Sequence, residues 1–326
     1  MRVLITGAAG MIGRKLATRI ARDGAVAGRA VERLVLADVV EPPAPEGGMT
    51  TDTPVADLAE PGVAASLAAS RPDVVFHLAA VVSGQAEADL DLGLRVNLDG
   101  TRALLDALRA EGASPRVVVA SSLAVHGAPF RLNAAGLIPD GTQPTPLTSY
   151  GAQKLMTEIL LADYTRRGIL DGVSLRLPTI AIRPGPPNRA ASSFFSNILR
   201  EPLHGRAASL PVEEDLRHSF ASPRAAVAFL LHAAALDGAR LGPRRALDLP
   251  GLSATVGEAL DALERAAGPE ARALVRREPD EAVARIVRGW APGFEAGEAR
   301  ALGFEAETSF DEIIRVYRED EMGVAA

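Results

Sequence analysis

Short apolar runs alternate with amphipathic stretches along the first half of the chain. Residues 3–6, 34–38, 74–78 and 117–120 are apolar and bounded by turn or charged residues, the mark of strands covered on both faces. Between them, residues 12–22, 63–69 and 90–111 carry apolar positions at helical spacing. The alternation predicts an α/β protein, a Rossmann-type doubly wound parallel sheet with helices on both faces. Residues 42–54 are rich in Pro and Gly and read as a loop. A long helix at 150–167, with Leu155, Ile159 and Leu160 on one face, and a strand at 173–177 complete this region.

After the last of these strands the character changes. Residues 184–220 are rich in Pro, Ser and Arg, with one helix at 193–203. The remainder reads as helices at 223–236, 256–267, 281–289 and 310–319, with one short strand at 246–249. The expected organisation is a nucleotide-binding domain over 1–177 and a smaller, mainly helical substrate domain over 178–326, with some segments able to return to the sheet.

Composition narrows the function. Hydrophobic residues make up 48%, enough for a full core. The net charge of -6 and the lack of a basic stripe speak against nucleic acid as a partner. The absence of cysteine removes disulfides, thiolate metal sites and cysteine nucleophiles, and no metal site is expected. No apolar run approaches the roughly 20 residues of a membrane helix, and the N-terminus lacks a signal-peptide pattern, so a soluble cytoplasmic protein is expected.

Gly7, Gly10 and Gly13 lie in T-G-A-A-G-M-I-G, after the first strand and at the start of a helix. Such a turn lets backbone approach a pyrophosphate, and the helix N-terminus offers free N–H groups and a favourable dipole. The spacing is one residue wider than the usual dinucleotide fingerprint. Asp38 ends the second strand, where a carboxylate accepts from the adenosine ribose and repels a 2′-phosphate. Val39 and Val40 follow it with no cation, so NAD is expected over NADP.

Tyr150 and Lys154 are four apart on a helix and project from one face. A phenol titrates near 10, too high for a base at neutral pH, and an adjacent ammonium favours the phenolate. Only two of the 35 basic residues are lysines, Lys15 and Lys154, so an intact Lys154 carries weight. Ser122 is the expected donor to a substrate oxygen beside Tyr150; Ser121 is either a cofactor contact or a strand-end serine.

The motifs T-G-A-A-G-M-I-G, Asp57-Leu58, H-L-A-A at 77–80, Asn97 in V-N-L-D-G-T, Ser121-Ser122 and Y-G-A-Q-K at 150–154 occur in the order found in extended short-chain dehydrogenases. The chain resembles that family, which includes nucleotide-sugar epimerases and dehydratases, over essentially its whole length. The resemblance implies a Ser122, Tyr150 and Lys154 catalytic set. It implies cofactor contacts from Met11 and Ile12 in the glycine loop, Asp57 and Leu58 near the adenine, and Leu78, Ala79 and Ala80 along the phosphate and ribose path. Asn97 would support the central helix, and Leu177 and Pro178 would close the cofactor site. A homodimer is also implied, built from helices 90–111 and 150–167 through Leu104, Leu105, Leu108, Ile159 and Leu160. Those residues fit packing on the sheet equally well.

Where many sugar-nucleotide members carry V-Y-G, this chain has Val125-His126-Gly127, and Thr179 stands in the place of their asparagine. The segments L-R-L-P-T-I-A-I-R-P-G-P-P-N-R and R-H-S-F-A-S-P-R resemble a subgroup that oxidises the C2 hydroxyl of D-erythronate to the 2-oxo acid. A small hydroxy acid needs a carboxylate clamp, for which the planar guanidinium fork is suited. Arg183 and Arg217 are the candidates, with Ser83, Ser122, Tyr150, Thr179 and Asn188 as hydroxyl partners. The rival readings are a nucleotide-sugar 4-epimerase that recycles bound NAD, and a dinucleotide sensor without turnover.

Overall fold

The structure is a computed structural model in which residues 1–185 and 192–324 are described. Those residues divide into two compact units, and the chain passes between them several times. Met1–Val125, Thr148–Arg176 and Val227–Leu247 form the first; His126–Leu147, Leu177–Ala226 and Asp248–Ala326 form the second. The return of 227–247 fits the expectation that segments beyond 177 rejoin the sheet, whereas the excursion of 126–147 into the second unit was not expected. The return of 227–247 to the first unit is held by Arg116, which donates to the carbonyls of Ala233 (2.6 Å) and Leu236 (2.8 Å) and to Asp171 (2.5 Å). Arg245 donates to the other oxygen of that carboxylate at 2.9 Å.

The first unit is built on a seven-stranded sheet: β1 (Arg2–Thr6), β2 (Arg33–Ala37), β3 (Thr50–Asp52), β4 (Val74–His77), β5 (Arg116–Ser122), β6 (Asp171–Leu177) and β7 (Ala246–Asp248), in spatial order β7-β6-β5-β4-β1-β2-β3. The ladders β1–β2, β1–β4, β2–β3 and β4–β5 are parallel. The order reverses at β1, so the crevice for a dinucleotide opens at the carboxyl ends of β1 and β4. β3 lies inside the stretch expected to be loop, an edge strand too short and polar to announce itself. Helix α1 (Met11–Asp23) buries Leu16, Ala17 and Ile20.

The expected single helix at 90–111 is three pieces. An α-turn Leu90–Gly93 leads into a π-helical stretch Leu94–Asp99, then into α2 (Gly100–Glu111). Leu104, Leu105 and Leu108 of α2 are fully buried in the sheet core, so they serve packing and cannot serve a dimer contact. Helix α3 (Ser149–Arg166) is capped by Thr148, whose hydroxyl accepts from Gly151 N at 3.1 Å. Its buried face carries Gln153, Lys154, Thr157 and Glu158, while Ile159 is 64% exposed. Of the apolar face inferred from Leu155, Ile159 and Leu160, Ile159 points outward while Leu160 is half-buried against the sheet core, and the buried face combines these polar residues with Leu161 and Tyr164.

The second unit is mainly helical and has its own core of Phe194, Phe195, Ile198, Phe220, Leu260 and Phe310, among others. It also holds two small sheets that the sequence did not announce. Thr179–Ile180 runs parallel to Arg217–Ala221, which pairs antiparallel with Leu252–Thr255. Ala208–Leu210 pairs with Val275–Arg277. These strands are two to five residues long, below what a period-two pattern can signal.

Candidate active site

The glycine loop forms because no side chain fits it. Gly7 has a φ of +75°, and a Cβ there would lie 2.6 Å from Ala79 N. A Cβ on Gly13 would collide with the carbonyl of Gly7. α1 starts at Met11 and Ile12 with Gly10 as its N-cap and no side-chain cap, leaving its first N–H groups for a ligand.

Asp38 fixes the other wall. One carboxylate oxygen accepts from Ala9 N at 2.8 Å and the other from Val39 N at 2.7 Å, which ties the glycine loop to the end of β2. Each oxygen keeps a lone pair for a ribose diol. Val39 and Val40 are exposed and bring no cation. A pocket at this point is lined by Thr6, Gly7, Asp38, Val39, Asp57, Leu58 and Ala79 together with Ala56 and Val96, which the sequence did not single out. Asp57 is partly buried, which works against its charge. The bonds from Ala59 N (2.9 Å) and Arg95 (3.0 Å) prevail and hold its carboxyl below the usual range. The cradle at Gly7 and Gly13, the free helix start and the ribose-facing acid fit a dinucleotide.

Leu78, Ala79 and Ala80 follow β4, and Leu78 N donates to Thr6 O at 3.0 Å. Asn97, in the π-helical stretch, is buried. Its oxygen accepts from Val81 N (2.9 Å), and its amide donates to Val81 O (3.2 Å) and to Gln153 of α3 (2.8 Å). It thereby braces the loop beyond β4 against the helix of Tyr150. His77 is held between the hydroxyls of Thr6 (2.7 Å) and Thr101 (2.8 Å), and burial pushes it down to about 3, so it stays neutral.

Ser122, Tyr150 and Lys154 come together where β5 ends against α3. Burial pushes the Tyr150 phenol up to about 12, and Ser122 beside it acts the other way. The Lys154 ammonium lies 5.7 Å from the Tyr150 ring centroid and donates to Ala120 O at 2.8 Å. Burial pushes it down to about 8, with the Glu158 charge acting the other way. At neutral pH the lysine keeps its proton, while the phenol needs further positive charge before it can act as a base.

Ser83 opens the helix Ser83–Ala88 in the first unit. Leu177 ends β6 and Pro178 links it to Thr179–Ile180. In the second unit Thr179 bonds His218 Nε2 at 2.7 Å. His218 stacks on Phe195 with ring centroids 5.1 Å apart, and burial pushes it down to about 3. Arg183 donates to Ser192 at 2.7 Å, and burial, with Arg200 beside it, lowers its guanidinium. No carboxylate pairs with it among the described residues. Arg217 is half exposed and spans Ser253 O (2.9 Å) and Glu258 (3.4 Å). Asn188 lies outside the described residues. His126 is buried against Asp248 (2.9 Å) and Phe294, a structural setting.

Sequence comparison adds what geometry alone does not. The NAD dependent epimerase/dehydratase family matches residues 3–233. The chain belongs to that family. NAD is accordingly its cofactor, in keeping with Asp38 and the uncharged Val39 and Val40. Two of its relatives are D-erythronate dehydrogenases. The one from Cupriavidus necator is 48% identical over 98% of both chains, and the one from Haemophilus influenzae 39% identical over 99% of this chain and 100% of the relative. A crystal structure described as a nucleoside-diphosphate-sugar epimerase, from Agrobacterium tumefaciens, is 58% identical with a TM-score of 0.96, covering 99% of this chain and 95% of that one. Among the described residues no helix is long and apolar enough to cross a membrane.

Proposed function

We propose that this family member is an NAD-dependent dehydrogenase that oxidises the C2 hydroxyl of D-erythronate, or a sugar acid close to it, to the 2-oxo acid. The observation that carries the catalytic part is the convergence of Ser122, at the end of β5, on Tyr150, with the Lys154 ammonium 5.7 Å from the ring centroid. Full-length similarity to two D-erythronate dehydrogenases supports the substrate.

Gly7, Gly10, Gly13, Asp38, Asp57 and Ala79 would hold the NAD, which when bound supplies the hydride acceptor and a positive ring beside the phenol. Ser122 donates to the substrate hydroxyl oxygen and holds it at Tyr150. Tyr150 takes the hydroxyl proton as the C2 hydride leaves. The Lys154 ammonium stabilises the phenolate, opposing the burial that holds the phenol near 12. Arg183 is the better carboxylate clamp of the two arginines: it is half-buried and lacks an acidic partner among the described residues, whereas Glu258 already engages Arg217. Thr179 and Ser83 would meet the remaining hydroxyls. Two copies would pair through the outward face of α3, where Met156 and Ile159 are exposed; a light-scattering mass of a single chain would end that part of the proposal.

A panel of four- to six-carbon sugar acids and UDP-sugars, with NAD and with NADP, tests the reading. NADH should accumulate with D-erythronate and NAD. The likeness to a structure described as a nucleotide-sugar epimerase makes 4-epimerisation the second reading. Interconversion of UDP-sugars without net NADH, and no oxidation of sugar acids, would establish it instead.

A further inference from the structure

Three successive residues at the end of β5 engage three residues of α3 that are four apart. Ala120 accepts from Lys154 at 2.8 Å, Ser121 donates to Glu158 at 2.5 Å, and Ser122 lies beside Tyr150. Glu158 is the innermost of the three, with its side chain only 3% exposed. Arg176 of β6 grips the same carboxylate, with Nε 3.1 Å from one oxygen and Nη2 2.8 Å from the other. A buried charge is costly unless it is paired and fully hydrogen-bonded, and this one is. Packing of an apolar helix face would have asked for none of it.

We infer that Glu158, with Ser121 and Arg176, is a positioning residue that locks the register of β5 against α3 and holds the Lys154 ammonium in its charged form. The inference rests on the catalytic roles proposed for Ser122, Tyr150 and Lys154. Register matters because Tyr150 and Lys154 sit on α3 and Ser122 on β5, so a slip of β5 would take Ser122 from Tyr150 and the Ala120 carbonyl from Lys154 together. Charge matters because Lys154 is surrounded by neutral groups otherwise: Tyr150 on its own helix and His77 from the end of β4, which burial keeps uncharged. Arg176, on the far side, is neutralised by the carboxylate it binds.

The chain contains two lysines, so ε-13C-lysine labelling gives two NMR signals, and Lys15→Arg assigns them. In Glu158→Gln the titration midpoint of Lys154 is expected to fall by about one pH unit. Turnover at neutral pH should drop about 10- to 100-fold with KM within about twofold, the pattern of a displaced catalytic group. Ser121→Ala keeps both charges and should leave the Lys154 midpoint in place while kcat falls. If Glu158→Gln does not fold, Glu158→Gln/Arg176→Gln is read against Arg176→Gln, so that the two differ only in the Glu158 charge. An unmoved Lys154 midpoint in a folded Glu158 variant would overturn the inference, as would unchanged kcat in Ser121→Ala. The midpoint is read without substrate, so it stands or falls separately from the catalytic reading, which Tyr150→Phe tests.

Discussion

The two units handle buried charge in opposite ways. In the first, Glu158 is met on both oxygens by Arg176 and Ser121, and Lys154 by a backbone carbonyl. In the second, Arg183 is half-buried beside Arg200, a like charge, and no carboxylate answers it among the described residues. The first arrangement is complete in the protein alone and so defines a rigid geometry. The second leaves a half-buried cation that an outside anion would satisfy. The set proposed for chemistry is thus self-satisfied, while the arginine proposed to hold the ligand keeps a polar demand unmet.

Substitutions can break this contrast. Tyr150→Phe should cost turnover most, about a thousandfold or more, because the proton acceptor is gone while Lys154 and the cofactor cradle remain. NAD affinity measured by calorimetry should stay within about twofold; a parallel loss of binding would mean that Tyr150 is a packing residue. Arg183→Ala should raise KM for the sugar acid about a hundredfold, the loss of a charge-assisted pair, with kcat much less affected. Arg217→Ala should change KM little, and the reverse ranking would move the clamp to Arg217.

Acid should strain both units alike. His77 and His218 are held near 3 in the fold against an ordinary 6.5, so the unfolded chain binds the extra protons. Stability is therefore undiminished above 6.5 and falls as the pH drops toward 3, by about 2 kcal/mol per histidine at about pH 5. Urea midpoints across that range should show the loss, and His77→Asn or His218→Asn should flatten it. The smallest expected effect is at Asp38. Asp38→Asn keeps an acceptor for the glycine loop but removes the charge, and should weaken NAD about tenfold while narrowing the preference over NADP. An unchanged preference would take cofactor choice away from Asp38.

Much of the first unit was legible because its chemistry sits on contiguous motifs. The glycine loop, Asp38, and the Tyr150–Lys154 spacing are each local, set by a turn, a strand end or one helical turn. Glu158 could have been found by extending that spacing one more turn, and Arg176 as a charge inside an apolar strand, V-S-L-R-L. The polar half of the buried face of α3 was not legible, since hydrophobic periodicity assumes that apolar residues pack, and here Gln153, Lys154 and Glu158 are buried beside Leu161 because their partners are Asn97, Ala120, Ser121 and Arg176. The small sheets of the second unit, and the π-helical stretch that aims Asn97, were hidden for the reason that two- to six-residue features leave no period to read.

The sequence by itself determined six of the seven sheet strands and most of the helices, the glycine loop and the Tyr150–Lys154 spacing, because those depend on neighbours within a turn or a strand. Only the tertiary structure decided which polar groups are satisfied: that Ser121 serves Glu158, that Thr179 leans on His218, and that, among the described residues, Arg183 rather than Arg217 lacks an acid. Hydrogen bonds between residues 37 or 39 positions apart are set by how elements pack, and no local pattern encodes them.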